Sequence, residues 1–134
     1  MIAESAPPGG GKDVVKALDL VLGRAMRDTN AQAIVAARLD GLSIAARFAS
    51  RMDPKVAAAV AASIYGAAEV VSRELAQGPI EQITLTCANG RVVAVGAGPE
   101  AVLFAVYPRE GALGLALLSL TRAGSQIATL LEGL

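Results

Sequence analysis

The sequence predicts an α+β sandwich: five antiparallel strands in hairpins, covered by helices on both faces, in the order α-β-β-α-β-β-β-α. Three observations predict it. Apolar residues recur at steps of three and four in three stretches, before, between and after the strand-like runs. Two turn dipeptides, Asp40-Gly41 and Asn89-Gly90, separate apolar runs of strand length. A further turn at Gly96–Glu100 leads into the run Ala101–Tyr107. With 134 residues the chain is one domain by length and can bury a core of its own.

Residues 1–12, with Pro7, Pro8 and three successive glycines, are expected to form a flexible tail, and residues 13–134 the domain. GGGK at Gly9–Lys12 tempts a phosphate-loop reading. It fails, because Ala6 stands where the pattern needs Gly and Asp13 where it needs Ser or Thr. Asp13–Arg27 reads as a first helix capped by Asp13. Its inward face holds Val14, Leu18, Val21, Leu22 and Ala25, and Asp28 and Asn30 end it. Gln32–Leu39 is apolar without clean alternation, as in a strand covered on both faces. Asp-Gly follows, a two-residue hairpin signal that expects positive φ at both positions. Leu42–Phe48 then alternates and reads as a half-exposed edge strand.

Asp53–Pro79 is a long helix with both ends marked. Asp53 suits the cap, Pro54 the first helical position, and Gly78 a left-handed close before Pro79. One stripe, Val56, Val60, Ile64, Ala67, Val71 and Leu75, is expected to cover the core. The opposite stripe is Lys55, Ala59, Ala62, Gly66, Glu69 and Arg73, and no charge lies between Val56 and Ala68. Two readings of that bare stripe stand. Alanine can be there for helix propensity, or another protein surface can lie against Ala59, Ala62 and Gly66. Gly66 favours the second, since an interior helix glycine costs about 1 kcal/mol relative to alanine.

Ile83, Leu85 and Cys87 alternate with Gln82, Thr84 and Thr86 in the third strand, Ile80–Ala88. Asn89-Gly90 turns the chain into Arg91–Val95, and Ala101–Tyr107 is the fifth strand. Gly96–Ala101 fits G-x-G-x-x-A, but a strand rather than a helix follows, so the dinucleotide reading is rejected. Gly111–Leu131 is the last helix, with Leu113, Leu117, Leu120, Ile127 and Leu131 inward and Gly124 in the gap.

Composition excludes several functions. Twelve Lys+Arg balance twelve Asp+Glu, and aromatics are few, which argues against nucleic-acid binding. The chain has no His and a single Cys, so no zinc site and no disulfide within it are expected. Cys87 reads as a small core residue. Asp40 and Asp53 have turn and cap roles, and no nucleophile–base pair can be assembled, so no catalytic residue and no cofactor are expected. Mean hydropathy is +0.51, yet charges and turns break the apolar runs short of a membrane span. The start MIAESAPP lacks a signal-peptide pattern, and a cytoplasmic protein is expected.

The first-helix stripe, the hairpin AIVAARLDGLSIAARF, the Ala-rich helix and the meander TLTCANGRVVAVGAGPEAVLFAVYP with its closing helix resemble the roadblock family. That group includes dynein roadblock-type light chains and prokaryotic regulators of Ras-like GTPases. The resemblance covers residues 13–133 and lies in the order and spacing of the elements rather than in one motif. It implies a roadblock/profilin-like sheet with the long helix on one face and the terminal helices on the other. It also implies an obligate dimer, in which the third strand pairs with its twin through Ile80, Gln82, Thr84 and Thr86. Ser63 and Val70 of the long helix would join that interface. The partner it implies is a small Ras-like GTPase docked on the paired long helices, with Ala59, Ala62 and Gly66 as floor and Lys55, Glu69 and Arg73 as rim. Arg47, Arg51 and Lys55 are the candidates for an arginine or lysine supplied in trans, or else a solvated basic edge. A different function remains open: a structural light chain that clamps extended peptides at the edge strand Leu42–Phe48.

Overall fold

Eight elements follow one another in the computed structural model, which describes residues 10–49 and 51–132. They are α1 (Gly10–Thr29), β1 (Ala33–Arg38), β2 (Ser43–Phe48), α2 (Pro54–Glu74), β3 (Ile83–Cys87), β4 (Gly90–Gly96), β5 (Ala101–Tyr107) and α3 (Leu113–Glu132). The strands form one antiparallel sheet in the order β2-β1-β5-β4-β3. The order and fold class are those expected. α1 starts at Gly10, ahead of the expected Asp13, which contributes a carboxylate to the first turn instead of capping it. The rest of the expected tail, residues 1–9, lies outside the described residues.

Strand alternation divides the interior into two cores. Ile34, Ala36, Val93, Val95, Leu103 and Tyr107 point to α1 and α3, which cover them with Leu18, Leu22, Leu120 and Ile127. Val35, Ala37, Ala94, Val102 and Phe104 point to α2, which covers them with Ala58, Ala61 and Tyr65. β1 is buried along Ala33–Ala37, as a strand covered on both faces should be. The α1 stripe is the one expected. The expected α2 stripe reaches the core only at Ile64: Val56 is 59% exposed and Val71 57%, and Val60 and Leu75 also face outward. Small side chains let a helix backbone approach a sheet closely, so alanines take the sheet side and the valines are displaced to the outside.

Turn chemistry differs from expectation in both hairpins. Only Gly41 takes positive φ in the first (95°), while Asp40 accepts a hydrogen bond from the Leu42 N–H (3.2 Å) and pairs with Arg38 (2.9 Å). The loop is longer than two residues, and the register shifts between Ala36 and Ala37. In the second, Cys87 pairs with Gly90, so the turn is Ala88-Asn89 and neither residue takes positive φ. Gly90 is needed for space rather than for φ: a Cβ there would lie 2.7 Å from the Tyr107 carbonyl oxygen. α2 also closes early. Leu75 caps it, Ala76 turns left-handed (φ 53°), and the Ser72 hydroxyl donates to the Gly78 carbonyl. At its start Asp53 accepts from the Lys55 N–H (2.9 Å), with Pro54 following as expected.

Tyr107 is 3% exposed, and its hydroxyl has no hydrogen-bond partner among the described residues. Burial pushes the phenol above its ordinary value, opposed by the nearby Thr29 hydroxyl. That hydroxyl is given to the Ala25 carbonyl instead (2.6 Å). Tyr107→Phe is therefore expected to raise stability by about 1 kcal/mol, read as a higher urea midpoint at unchanged slope.

Candidate functional site

Two features on the α2 side of the sheet are left without cover by the described residues. The first is the outer face of α2. Val56, Val60, Ala67, Val70 and Val71 are exposed there, and no charge interrupts the helix between Lys55 and Glu69. Ser63 sits among them, but its hydroxyl donates to the Ala59 carbonyl (2.8 Å), so it adds little polarity. The second is the edge strand β3, which among the described residues pairs with β4 alone. α2 packs chiefly over β1, β2 and β5, leaving the outer strand open. Leu85 is 41% exposed for that reason, and Cys87 is exposed too, which corrects the expectation of a core cysteine.

The expected contact residues are distributed unevenly. Lys55, Ala59, Glu69 and Arg73 are exposed. Gly66 is half-buried, and a Cβ added to it would meet nothing within 4 Å. The chain's own packing therefore does not require glycine at that position. Ala62 is 8% exposed, so it offers little of the surface expected of it. The exposed apolar surface of this helix is instead the valine face, which helical spacing assigns to the core. Of the expected dimer residues, Ser63, Val70, Gln82 and Thr86 are exposed, and Thr84 and Ile80 are half-buried. Ile80 packs against the α2-side core.

Glu69 and burial act together on Tyr65: burial raises its phenol pKa and the Glu69 charge adds to that. The basic cluster is smaller than expected. Arg47 spans to α1 and binds Asp19 with both arms (2.9 and 2.8 Å), so it is not a free arginine. Arg51 and Lys55 remain exposed. The Arg47 hydrogen bond and charge hold the Asp19 carboxyl below its ordinary value. A depressed carboxyl stabilises the fold above the unfolded value, near 3.8, and the contribution is lost as pH falls through the folded value. Asp19→Asn is expected to lower the thermal midpoint slightly at neutral pH and not at all once the pH is well below that value. High salt should shrink the neutral-pH effect, because both side chains are about half exposed.

Among the described residues no three His, Cys, Asp or Glu side chains come together as a metal site needs. α2 is long and apolar enough to cross a membrane by length and composition, which corrects the expectation that no run reaches that length. Its small-residue side is packed on the sheet, so here it is an element of the sandwich.

The family model described as Roadblock/LC7 domain matches residues 17–107. The chain belongs to the Roadblock/LC7 family. A Roadblock/LC7 chain of this kind is similar to an uncharacterized protein of Methanocaldococcus jannaschii, MJ0310. The two are 32% identical over 88 residues, 66% of this chain and 76% of that protein. In fold it is similar to the gliding protein MglB of Thermus thermophilus, with TM-score 0.83 and 18% identity over 100% of this chain and 97% of the other. A Roadblock/LC7 domain from Streptomyces avermitilis superposes with TM-score 0.78 and 16% identity, covering 85% and 97%.

Proposed function

We propose that this Roadblock/LC7 protein is a non-catalytic, dimeric binding module that docks a small Ras-like GTPase and regulates or anchors it in the cytoplasm. One observation carries the reading: α2 presents an exposed valine face with no charge between Lys55 and Glu69, and β3, at the sheet margin, has one edge left unpaired among the described residues. An exposed strand edge can be extended by another chain. Pairing β3 with its twin would join two five-stranded sheets into one of ten strands and set two α2 helices side by side. The apolar faces of the pair, rimmed by Lys55, Glu69 and Arg73, would then form the platform for the GTPase. The resemblance to regulators of Ras-like GTPases supports the partner class.

The test is a pull-down with tagged protein in parallel with GDP and with a non-hydrolysable GTP analogue, partners being identified by mass spectrometry. A Ras-sized GTPase enriched with one nucleotide supports the reading. The same partners in both lanes, none of them a GTPase, would favour the light-chain function, for which the second free edge, β2, is the available surface. Gly66→Arg is expected to abolish GTPase capture while the dimer persists. Unchanged capture would remove this stretch of α2 from the docking surface.

A further inference from the structure

On the opposite side of the sheet, α1 and α3 lie against each other, and two cavities of about 400 and 410 Å³ open along their seam. Both are lined by Val21, Arg24 and Gln126, so they form one groove. It follows α3 from Leu115 to Leu130, roughly 22 Å at about 1.5 Å per residue, which is four helical turns. Leu20 is 64% exposed along it, and Leu115 and Leu118 are half exposed. None of these three belongs to either core.

We infer that this groove is a second docking surface, and that its occupant is an amphipathic helix of another protein with acidic side chains flanking its apolar stripe. The apolar walls call for the stripe. A helix fits better than an extended strand, because the backbones of α1 and α3 are hydrogen-bonded internally and offer no edge to pair with. Charge selects the flanks. Arg24 and Arg122 line the groove and, among the described residues, neither makes an ion pair. Asp28, at the end near Leu115, is the one acid in the lining. Arg122 is also the only charge on α3 before Glu132. A second copy of this chain fits poorly, since it would bring four arginines together against two aspartates. The inference stands apart from the α2 reading, and the two surfaces can be occupied together because the sheet lies between them.

The probes are two synthetic peptides of about 18 residues with the same leucine stripe at helical spacing, one flanked by glutamate and the other by lysine. Their binding to the full chain is followed by fluorescence anisotropy at low and high salt. The glutamate peptide is expected to bind about tenfold or more tightly than the lysine peptide, with the gap closing as salt rises. The double variant Arg24→Glu, Arg122→Glu should reverse the preference, and Leu118→Asp should weaken both peptides. Circular dichroism checks each variant, and the salt dependence of the unaltered chain decides the matter if the variants do not fold. Equal affinity for the two peptides, absence of binding, or a preference unchanged by the charge reversal overturns the inference. So does a fall in the mass of the unliganded protein in Leu118→Asp, which would make the occupant another copy of the chain.

Discussion

A Gly124→Val protein is expected to melt on the order of 10 °C below the unaltered chain. Gly124 faces the end of β4, where a Cβ would lie 2.7 Å from the Gly96 carbonyl oxygen and 3.2 Å from a Val95 methyl. A strand backbone cannot swing aside as a long side chain can. Gly96 is itself confined on the other face, since a Cβ there would lie 2.9 Å from the Tyr65 hydroxyl. The sandwich is thus pinched at one point from both sides. To admit the valine, α3 must lift and uncover Leu120 and Ile127, both fully buried. Overpacking of this kind costs about 3 kcal/mol. Thermal and urea melts followed by circular dichroism read the loss. Gly124→Ala should show a smaller loss in the same direction. Gly114→Ala, at a site where a Cβ meets nothing within 4 Å, should show none of the steric penalty. An unchanged midpoint in Gly124→Val would mean that α3 can ride higher on the sheet at no cost.

The double change Val60→Asp, Val71→Asp is expected to leave the subunit folded and to weaken association through α2 by about 100-fold or more. Neither valine belongs to the cores, and they are 44% and 57% exposed. Burying a valine side chain contributes about 1.5–3 kcal/mol, so losing two contacts amounts to at least two decades of affinity. Two carboxylates desolvated at the contact add to that. Light scattering after size exclusion reads the self-association, and titration calorimetry reads the partner. An unchanged mass together with unchanged partner binding would place both interfaces away from this helix. A much lower melting point would show instead that the valines support the subunit's own core.

The order of elements was legible because its signals are local. Asp53 and Pro54 mark one helix start, Asp40 organises its turn, and the leucines of α1 and α3 repeat at core spacing. What could not be read depended on how closely two elements approach. The rule that large apolar residues face inward put Val56, Val60 and Val71 in the core, whereas the sheet side of α2 is filled by Ala58, Ala61 and Tyr65 with Ile64 at its margin. Asn89-Gly90 carries the same letters as a positive-φ turn. Its glycine answers to the Tyr107 carbonyl, contributed by a strand distant in sequence. The exposed apolar stripe of α2 therefore lies around the helix from where the spacing put it. Arg47 lost its independence for a similar reason, since Asp19 reaches it only once α1 crosses β2.

The strand order has a consequence for the time course of folding. β1–β2 and β3–β4–β5 are each hairpins of neighbours, able to zip within microseconds. The centre of the sheet is different: β1 pairs with β5, Ala33 opposite Val106 and Arg38 opposite Ala101. That seam must close a loop containing α2 and the three strands β2, β3 and β4, and it cannot be completed on the ribosome until Tyr107 has emerged. Until then β1, buried from Ala33 to Ala37 in the finished fold, keeps one flank open to any passing strand. The last strand to be synthesised is the one that seals it.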